Sequence, residues 1–546
     1  MNFEIPKLNL SVQRFSFRGK DNYSSQNVIT SKQPDNIIPV YGDDVIRTKP
    51  AQLSLFVLHD FHGQNIRMER AYTAATQFDR DTLMKDDEVF DKNIPVDKFK
   101  VASGDMFLGE NKEELRAVNE FLNIAGIMAN AVGNHECDAP IEMFAEVVKD
   151  RNYKLLGANM HPNKNNAMSN ILASSFIVEK NGNRYGFIGI APPDMPKHMK
   201  RPEDADAFNI SDMENTVKDI QKEVDKIKKQ GVNKIILLSH AGLDNEKYIA
   251  EHVTDIDIIL GAHTHNLLKE AKKGENLLLS PKNEPVLIMQ VGRDGEYIGV
   301  PNIDFDEAGK IVKIQYNVLK TDEFARSNVA KNAIESVLGK PEIVGTLSYV
   351  EDMPKDIYAK ENPHCSFIAD CMREELGTDI AIMNSANIRG KFQKGNVDTR
   401  DLKLISPFGN KMCVIVATAQ ELVNSMNTVI KKSMQSEFHR PGIFQVSGLR
   451  YEYSESQGKM TKLTYIDRDG KERLIDLDNP AYDKLYTIAV DDYCATSDTA
   501  GMNLRNRFDE SDIHFDFDKE KLVGDYLRKQ TSPVEIKSDG RIKVVP

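Results

Sequence analysis

Concentrated runs of lysine and arginine are missing from this sequence of 546 residues, which carries a net charge of −12. A grip on a nucleic-acid polymer needs a basic stripe, so that class of function is set aside. Cysteine is scarce as well. The five residues, Cys137, Cys365, Cys371, Cys413 and Cys494, are odd in number, widely spread and without a CxxC pair. They make neither a disulfide framework nor a thiolate metal site, and reduced thiols are the expectation. No apolar run reaches the ~18 residues of a membrane span. The segment MNFEIPKLNLSVQRFSFRGK contains no uninterrupted apolar stretch of the kind a secretion signal needs, which points to a cytoplasmic protein. Internal repeats and low-complexity tracts are also absent.

What is present fits a globular protein of several domains: hydrophobic residues make up 40% and charged residues 28%. Residues 1–49 are polar and without a sustained period, and read as an extension. From Leu53 onward short apolar runs alternate with helical patterns, the signature of an α/β fold. The runs are LSLFVLHD, FKVASGD, IMANAVGNHE, RYGFIGIA, KIILLSHAG, IDIILGAHTH and VLIMQVG; the helical patterns include NKEELRAVNEFLN, IEMFAEVVKD and ISDMENTVKDIQKEVDKIKKQ. The segment KTDEFARSNVAKNAIESVL predicts a helix over 320–338 and is followed by GKPEIVG, a break. The expected division is therefore 1–49 extension, 50–319 first α/β domain, 320–341 linker helix and 342–546 second α/β domain. In the second, HCSFIADCMREELG reads as a helix, and DIAIMNSA, MCVIVATA, FQVSGLRYEYS, KMTKLTYID and KLYTIAVDDY read as strands.

Five of the apolar runs end in polar clusters: Asp60 with His62, Asp105, Asn134 with His135, His240, and His263 with His265. Ligands of open α/β sheets bind beyond the carboxyl ends of the strands, so separate strands aim Asp, Asn and His at one place. These residue types hold pairs of divalent cations, and Asp105 has two oxygens with which to bridge them. His59 alternates to the opposite face from Asp60 and reads as a packing or supporting residue. The histidines 161, 198, 252, 364, 439 and 514 fall in no such pattern and read as structural or surface residues.

The ordered set DFH, GD, GNHECD, SH and AHTH resembles the calcineurin-like metallophosphoesterase signature. The downstream segments resemble those of the 5′-nucleotidase family, whose members include nucleotide-sugar hydrolases and 2′,3′-cyclic-nucleotide phosphodiesterases. The resemblance covers about residues 53–546. It implies an N-terminal four-layer α/β/β/α metallophosphoesterase domain and a second α/β domain that recognises substrate. It implies one metal held by Asp60, His62, Asp105 and His265, and a second held by Asp105, Asn134, His240 and His263. His135 and Asp138 match the family's catalytic pair. A carboxylate three residues on orients the imidazole and favours its protonated form, which stabilises charge on a phosphoryl group. NSANIRG resembles the family's substrate loop and assigns Asn384 and Arg389 to substrate contact; SPFGN and VDDYCA assign Phe408 and Tyr493 to stacking on a nucleobase.

Three stretches depart from the family pattern. Ala386 and Asn387 stand where two glycines are usual, PHCS replaces a Gly-Asn pair, and CATSDTAG replaces a stretch with an acidic residue for which Asp498 is the candidate. All three lie in the second domain. The expected activity is hydrolysis of nucleoside monophosphates with two divalent ions, zinc or manganese, with a small-molecule nucleotide as partner. Cyclic-nucleotide or nucleotide-sugar hydrolysis is the alternative within the class; a nucleotide-binding module that has lost catalysis is the alternative outside it. Oligomeric state is not readable.

Overall fold

The structure is a computed structural model. It describes residues 29–31 and 46–546, apart from 84–92, 164–165, 200, 389, 407–409, 436–439, 498–501 and 503–512. The first domain is built on two sheets. One has nine strands and includes Ala51–Leu58, Val96–Ala102, Ala129–Ala131 and Lys154–Leu156 as parallel neighbours. The other has six, with Asn183–Ile190, Ile235–Ser239, Ile258–Leu260 and Pro285–Met289 parallel.

Each central strand is apolar on both faces because each sheet is covered on both faces. In Ala51–Leu58, residues Leu53, Leu55 and Val57 enter a core shared with Ile236, Leu238, Ile258 and Leu260 of the other sheet. Phe56 and Leu58 point the other way, against Ala71, Ala75, Val118 and Phe121 of two helices. In Ile235–Ser239, Ile235 and Leu237 likewise meet Ile220, Val224 and Ile249 of helices on the far side. Helix, sheet, sheet and helix give the four layers expected.

The helices carry their own boundary signals. Lys112–Ala125 starts at Asn111, whose side chain accepts the N–H groups of Glu113 and Glu114, and it closes at Gly126 with φ 71°. Met213–Lys228 starts at Asp212, which accepts the N–H of Asn215. Among the described residues no helix is long and apolar enough to cross a membrane.

The connector differs from the expected helix. Strand Ile311–Lys320 runs through the segment's first residue, and the α-helix begins only at Asn328 and ends at Leu338. The reason lies in the Asn65–Asp79 helix. Arg70 takes the carbonyls of Asp322 and Phe324, and the Thr73 hydroxyl takes that of Ala325 at 2.8 Å, so these groups are unavailable to a helical ladder. Of the N-terminal extension, Ile29–Ser31 pairs antiparallel with Tyr316–Val318, and the carbonyl of Ile46 accepts from Asn233 at 2.8 Å.

The second domain centres on a five-stranded sheet in the order Phe444–Ser447, Ile380–Asn384, Leu485–Asp491, Lys411–Thr418, Ile513–Asp518. Ile380 and Ile382 pack against the Ala419–Gln435 helix, while Ala381 and Met383 pack against Pro363–Leu376. The apolar run 444–454 is two strands, broken at Gly448; its second half, Leu449–Ser454, joins a separate four-stranded sheet. All five cysteines are free and buried.

The domains meet through ion pairs. Arg400, on the Thr399–Ile405 helix of the second domain, reaches Glu69 at 3.5 Å and Glu335 of the connector helix at 3.2 Å. Arg326 closes on the other oxygen of Glu69 at 2.6 Å, and Lys403 pairs with Glu114.

The two sheets of the first domain touch closely at Gly189, where an added Cβ would lie 2.2 Å from the Cβ of Leu156 in the opposite sheet. Gly189→Ala is therefore expected to destabilise the protein by about 1–3 kcal/mol through overpacking. Urea unfolding of the variant checks this, and an unchanged midpoint would show that the sheets can part there freely.

Candidate metal centre

The polar clusters at the strand ends are thrown back toward one point by an unusual backbone. Asp60, His62, Asp105, His263, His265 and Asp294 have φ of 48°, 48°, 50°, 78°, 59° and 54°. They are six of the ten non-glycine residues with positive φ among the described residues, and such strain gathers where surrounding structure enforces it. The loops are laced to one another: the N–H groups of Asp60 and His62 donate to the carbonyls of Gly104 and Asp105, each at 3.0 Å. Gly133 sits so close that a Cβ there would fall 2.2 Å from Asp105 Oδ1, which excludes any other residue.

All seven expected ligands come together. Asp60 Oδ1 lies 3.5 Å from His265 Nε2 and 3.8 Å from His240 Nε2. Asp105 Oδ2 lies 3.1 Å from His240 Nε2, 3.6 Å from His62 Nε2 and 4.0 Å from His135 Nε2. Asn134 Oδ1 is 2.9 Å from His263 Nδ1. The donor atoms form overlapping groups, Asp60–His62–His265, His62–Asp105–His135 and Asp105–His240–His263, each compact enough to hold an ion. Asp105 belongs to two of them. Asp60 Oδ1 and His240 Nε2 are buried without a hydrogen-bond partner. Buried polar atoms are normally satisfied, and a carboxylate oxygen and an imidazole nitrogen aimed into one space suit a divalent cation.

The electrostatics agree. Burial pushes the carboxyls of Asp60 and Asp105 up, yet the surrounding imidazoles more than offset it and hold both well below the ordinary range. Burial opposes charge on the histidines too, but Asp105 and Asp294 raise His62 to about 9, and Asp105 and Asp60 raise His240 to about 10. His263, half-buried and beside His240, is pushed down to about 4 by desolvation and by that neighbour. Two anions thus draw compensating positive charge into the centre, a role that bound divalent ions would take over.

A second set of residues holds the first. His59 accepts the Val291 N–H on Nε2 at 2.8 Å and so presents its Nδ1 proton to Asp60 Oδ2 at 2.6 Å; it is the supporting residue that its position beside Asp60 allowed. Glu136 accepts the N–H groups of Asp105 and Gly133 on one oxygen, and those of Met106 and Asn130 on the other. His240 gives Nδ1–H to the Ser103 carbonyl at 2.7 Å. Asp294, 2.8 Å from His62 Nδ1, was missed in the sequence. Its signal was there: VLIMQVG is followed directly by Arg293 and Asp294, one more polar cluster at a strand end.

His135 stands apart from the ligands' loops by its partner. Its Nδ1 is 2.8 Å from Asp138 Oδ2, which is itself held by the Gly109 N–H at 2.8 Å. Burial works against its charged form, but Asp105 and Asp138 raise its pKa. The ring is partly exposed at the mouth of the centre. On the opposite flank His198 packs against His263 with ring centroids 5.4 Å apart and lies 3.3 Å from Asp194. Reading His198 as a structural or surface residue did not foresee this placement, for which its own segment has no motif.

In the second domain, Asn384 and Tyr493 follow adjacent parallel strands, Ile380–Asn384 and Leu485–Asp491. Asn384 is buried, and Tyr493, on the short Asp492–Thr496 helix, is 47% exposed. Between them Asp491 accepts from Asn387 at 2.9 Å and pairs with buried Lys519 at 2.5 Å. Arg389, Phe408 and Asp498 lie outside the described residues.

Comparison with known proteins gives two family matches in series: calcineurin-like phosphoesterase over residues 55–267, and 5′-nucleotidase, C-terminal domain, over residues 343–503. A trifunctional nucleotide phosphoesterase protein, YfkN, of Bacillus subtilis is 25% identical over 83% of this chain; the match spans only 33% of that protein's length. A probable 5′-nucleotidase of Treponema pallidum is 25% identical over 72% of this chain and 76% of its own. Among solved structures, a 5′-nucleotidase precursor from Thermus thermophilus superposes with a TM-score of 0.67 at 21% identity, covering 90% of this chain and 99% of the other. At that identity the likeness speaks for the fold. With both domain families matched in this order, the chain belongs to the 5′-nucleotidase family, a calcineurin-like phosphoesterase domain followed by a 5′-nucleotidase C-terminal domain.

Proposed function

We propose that this chain is a metal-dependent phosphoester hydrolase that releases phosphate from nucleoside monophosphates. The observation that carries the reading is the convergence of Asp60, His62, Asp105, Asn134, His240, His263 and His265, with Asp60 Oδ1 and His240 Nε2 buried and unsatisfied. One ion would be held by Asp60, His62, Asp105 and His265, and the other by Asp105, Asn134, His240 and His263. Two divalent ions in such a centre supply positive charge to a phosphoryl group and acidify water, and zinc and manganese both suit these donors.

The chain's own work is then positional. Asp138 holds Nδ1–H of His135 and, with Asp105, favours the protonated ring, whose Nε2–H would donate a hydrogen bond to a phosphoryl oxygen. Asn384, with Arg389 from the sequence motif, is assigned to substrate contact, and Tyr493, with Phe408, to stacking on the nucleobase. The family membership of the C-terminal domain and the names of the relatives support a nucleotide as substrate.

Three outcomes are expected. Metal-stripped protein resupplied with zinc or manganese should release phosphate from nucleoside monophosphates. A panel that adds a 2′,3′-cyclic nucleotide, a nucleotide sugar with auxiliary phosphatase and an aryl phosphate reads out the preference; hydrolysis of none of them, with metal bound, would leave a binding module. Asp105→Asn should lose metal and turnover together, measured by elemental analysis and phosphate release, because Asp105 Oδ2 faces both His62 and His240, one from each proposed ligand set. His135→Ala should keep its metal and lose roughly 10²–10⁴ in rate. Metal loss in that variant would make His135 a ligand instead.

A further inference from the structure

The imidazoles of the candidate centre are not held alike. His240 turns Nδ1 to a neutral acceptor, the Ser103 carbonyl at 2.7 Å. His62 turns Nδ1 to a carboxylate, Asp294 Oδ1 at 2.8 Å, and points Nε2 toward Asp105 Oδ2 at 3.6 Å. An ionised carboxylate only accepts, so the proton belongs on Nδ1 and Nε2 is left to ligate.

Asp294 is built for that task. It is 1% exposed, in the turn that leaves the parallel strand Pro285–Met289 and enters Tyr297–Gly299 of the other sheet. Arg293 Nε lies 3.1 Å from its second oxygen, and Arg67 donates to its backbone carbonyl at 2.7 Å. The other arm of Arg293 reaches the Tyr358 hydroxyl of the second domain at 3.5 Å. The carboxylate is therefore fixed from behind by one guanidinium while it fixes His62 in front. The stretch 268–342, in which it lies, is covered by neither family match.

We propose that Asp294 is a positioning residue for the metal centre: it locks His62 as an Nε2 ligand and makes that nitrogen the stronger donor, so that the ion held through His62 depends on it. The proposal rests on the metal-centre reading above. It also makes the two ion positions unequal, because His240 of the other ligand set has only a backbone carbonyl, that of Ser103, behind it.

Asp294→Asn isolates the effect. Asparagine tolerates the left-handed backbone found there, at φ 54°, so the turn is kept. An amide, however, cannot accept from His62 Nδ1 and from Arg293 Nε with both of its heteroatoms. Either its NH2 faces the guanidinium, or it flips and imposes the other tautomer on His62.

Zinc titration of metal-stripped full-length protein against a chromophoric chelator tests this, with the melting temperature of the metal-free protein as the folding control. Wild type should take up two ions, and Asp294→Asn should bind one of them 10–100-fold more weakly with the other unchanged. Two ions at wild-type affinity in the variant would overturn the proposal and leave the metal centre standing. No uptake by wild type would overturn both. An independent readout needs no variant at Asp294: in zinc-loaded protein labelled with 15N-histidine, the His62 resonance, identified by its loss in His62→Gln, should show its proton on Nδ1. A proton on Nε2 would overturn the proposal whatever the fate of Asp294→Asn.

Discussion

Two carboxylates, Asp60 and Asp105, sit fully buried in one shell of histidines, and this concentration of negative charge is the constraint on which the first domain turns. Removing a carboxylate from water without compensation costs several kcal/mol or more, so a fold that buries two together must surround them with donors. Both sheets contribute. Strands of the nine-stranded sheet deliver Asp60, His62, Asp105 and Asn134, and strands of the six-stranded sheet deliver His240, His263 and His265. Parallel strands in two stacked sheets put all their carboxyl ends on one edge, and left-handed turns at those ends bring short side chains inward. The interior on either side is ordinary apolar packing; the charge at the edge decides which residues the turns can hold.

That edge was legible in the sequence because burial on both faces removes polar residues from the strands. A run such as KIILLSHAG is apolar until it stops, so the residue at which it stops stands out. The helices were legible for a similar local reason, since Asn111 and Asp212 cap them and Gly126 ends one. What could not be read depends on distant partners. The connector helix is shortened by Arg70 and Thr73, which lie about 250 residues away along the chain. Glu136 belongs to the motif that gave His135 and Asp138, but its hydrogen bonds to the N–H groups of Asp105 and Met106, about 30 residues away, are a tertiary fact. His198 reaches the centre through its contact with the ring of His263, beside Asp194.

In the second domain two of the three departures from the family pattern are built into hydrogen bonds. Asn387, where the pattern has glycine, donates to Asp491, which Lys519 neutralises. His364, in the PHCS replacement, accepts the Phe392 N–H on Nδ1 and presents Nε2 to the Glu351 carbonyl at 3.0 Å. Burial pushes its pKa down to about 4, so it is the neutral ring that these two contacts require. Both substitutions brace the loop on either side of position 389. The loop's reading as a substrate loop rests on Asn384 and the NSANIRG motif rather than on the glycines.

The contact between the domains bears on how such proteins can be recombined. The two family matches end and begin at residues 267 and 343, which makes the chain look like two separable cassettes. Glu69 belongs to the first cassette and is fully buried, yet its cationic partners are Arg326 in the unmatched stretch and Arg400 in the second. A catalytic half transplanted at the cassette boundary would carry a sunken anion with no counterion, on the helix that directly follows Asp60 and His62. The stretch of chain that keeps Glu69 paired is therefore longer than either family outline, since it includes both Arg326 and Arg400.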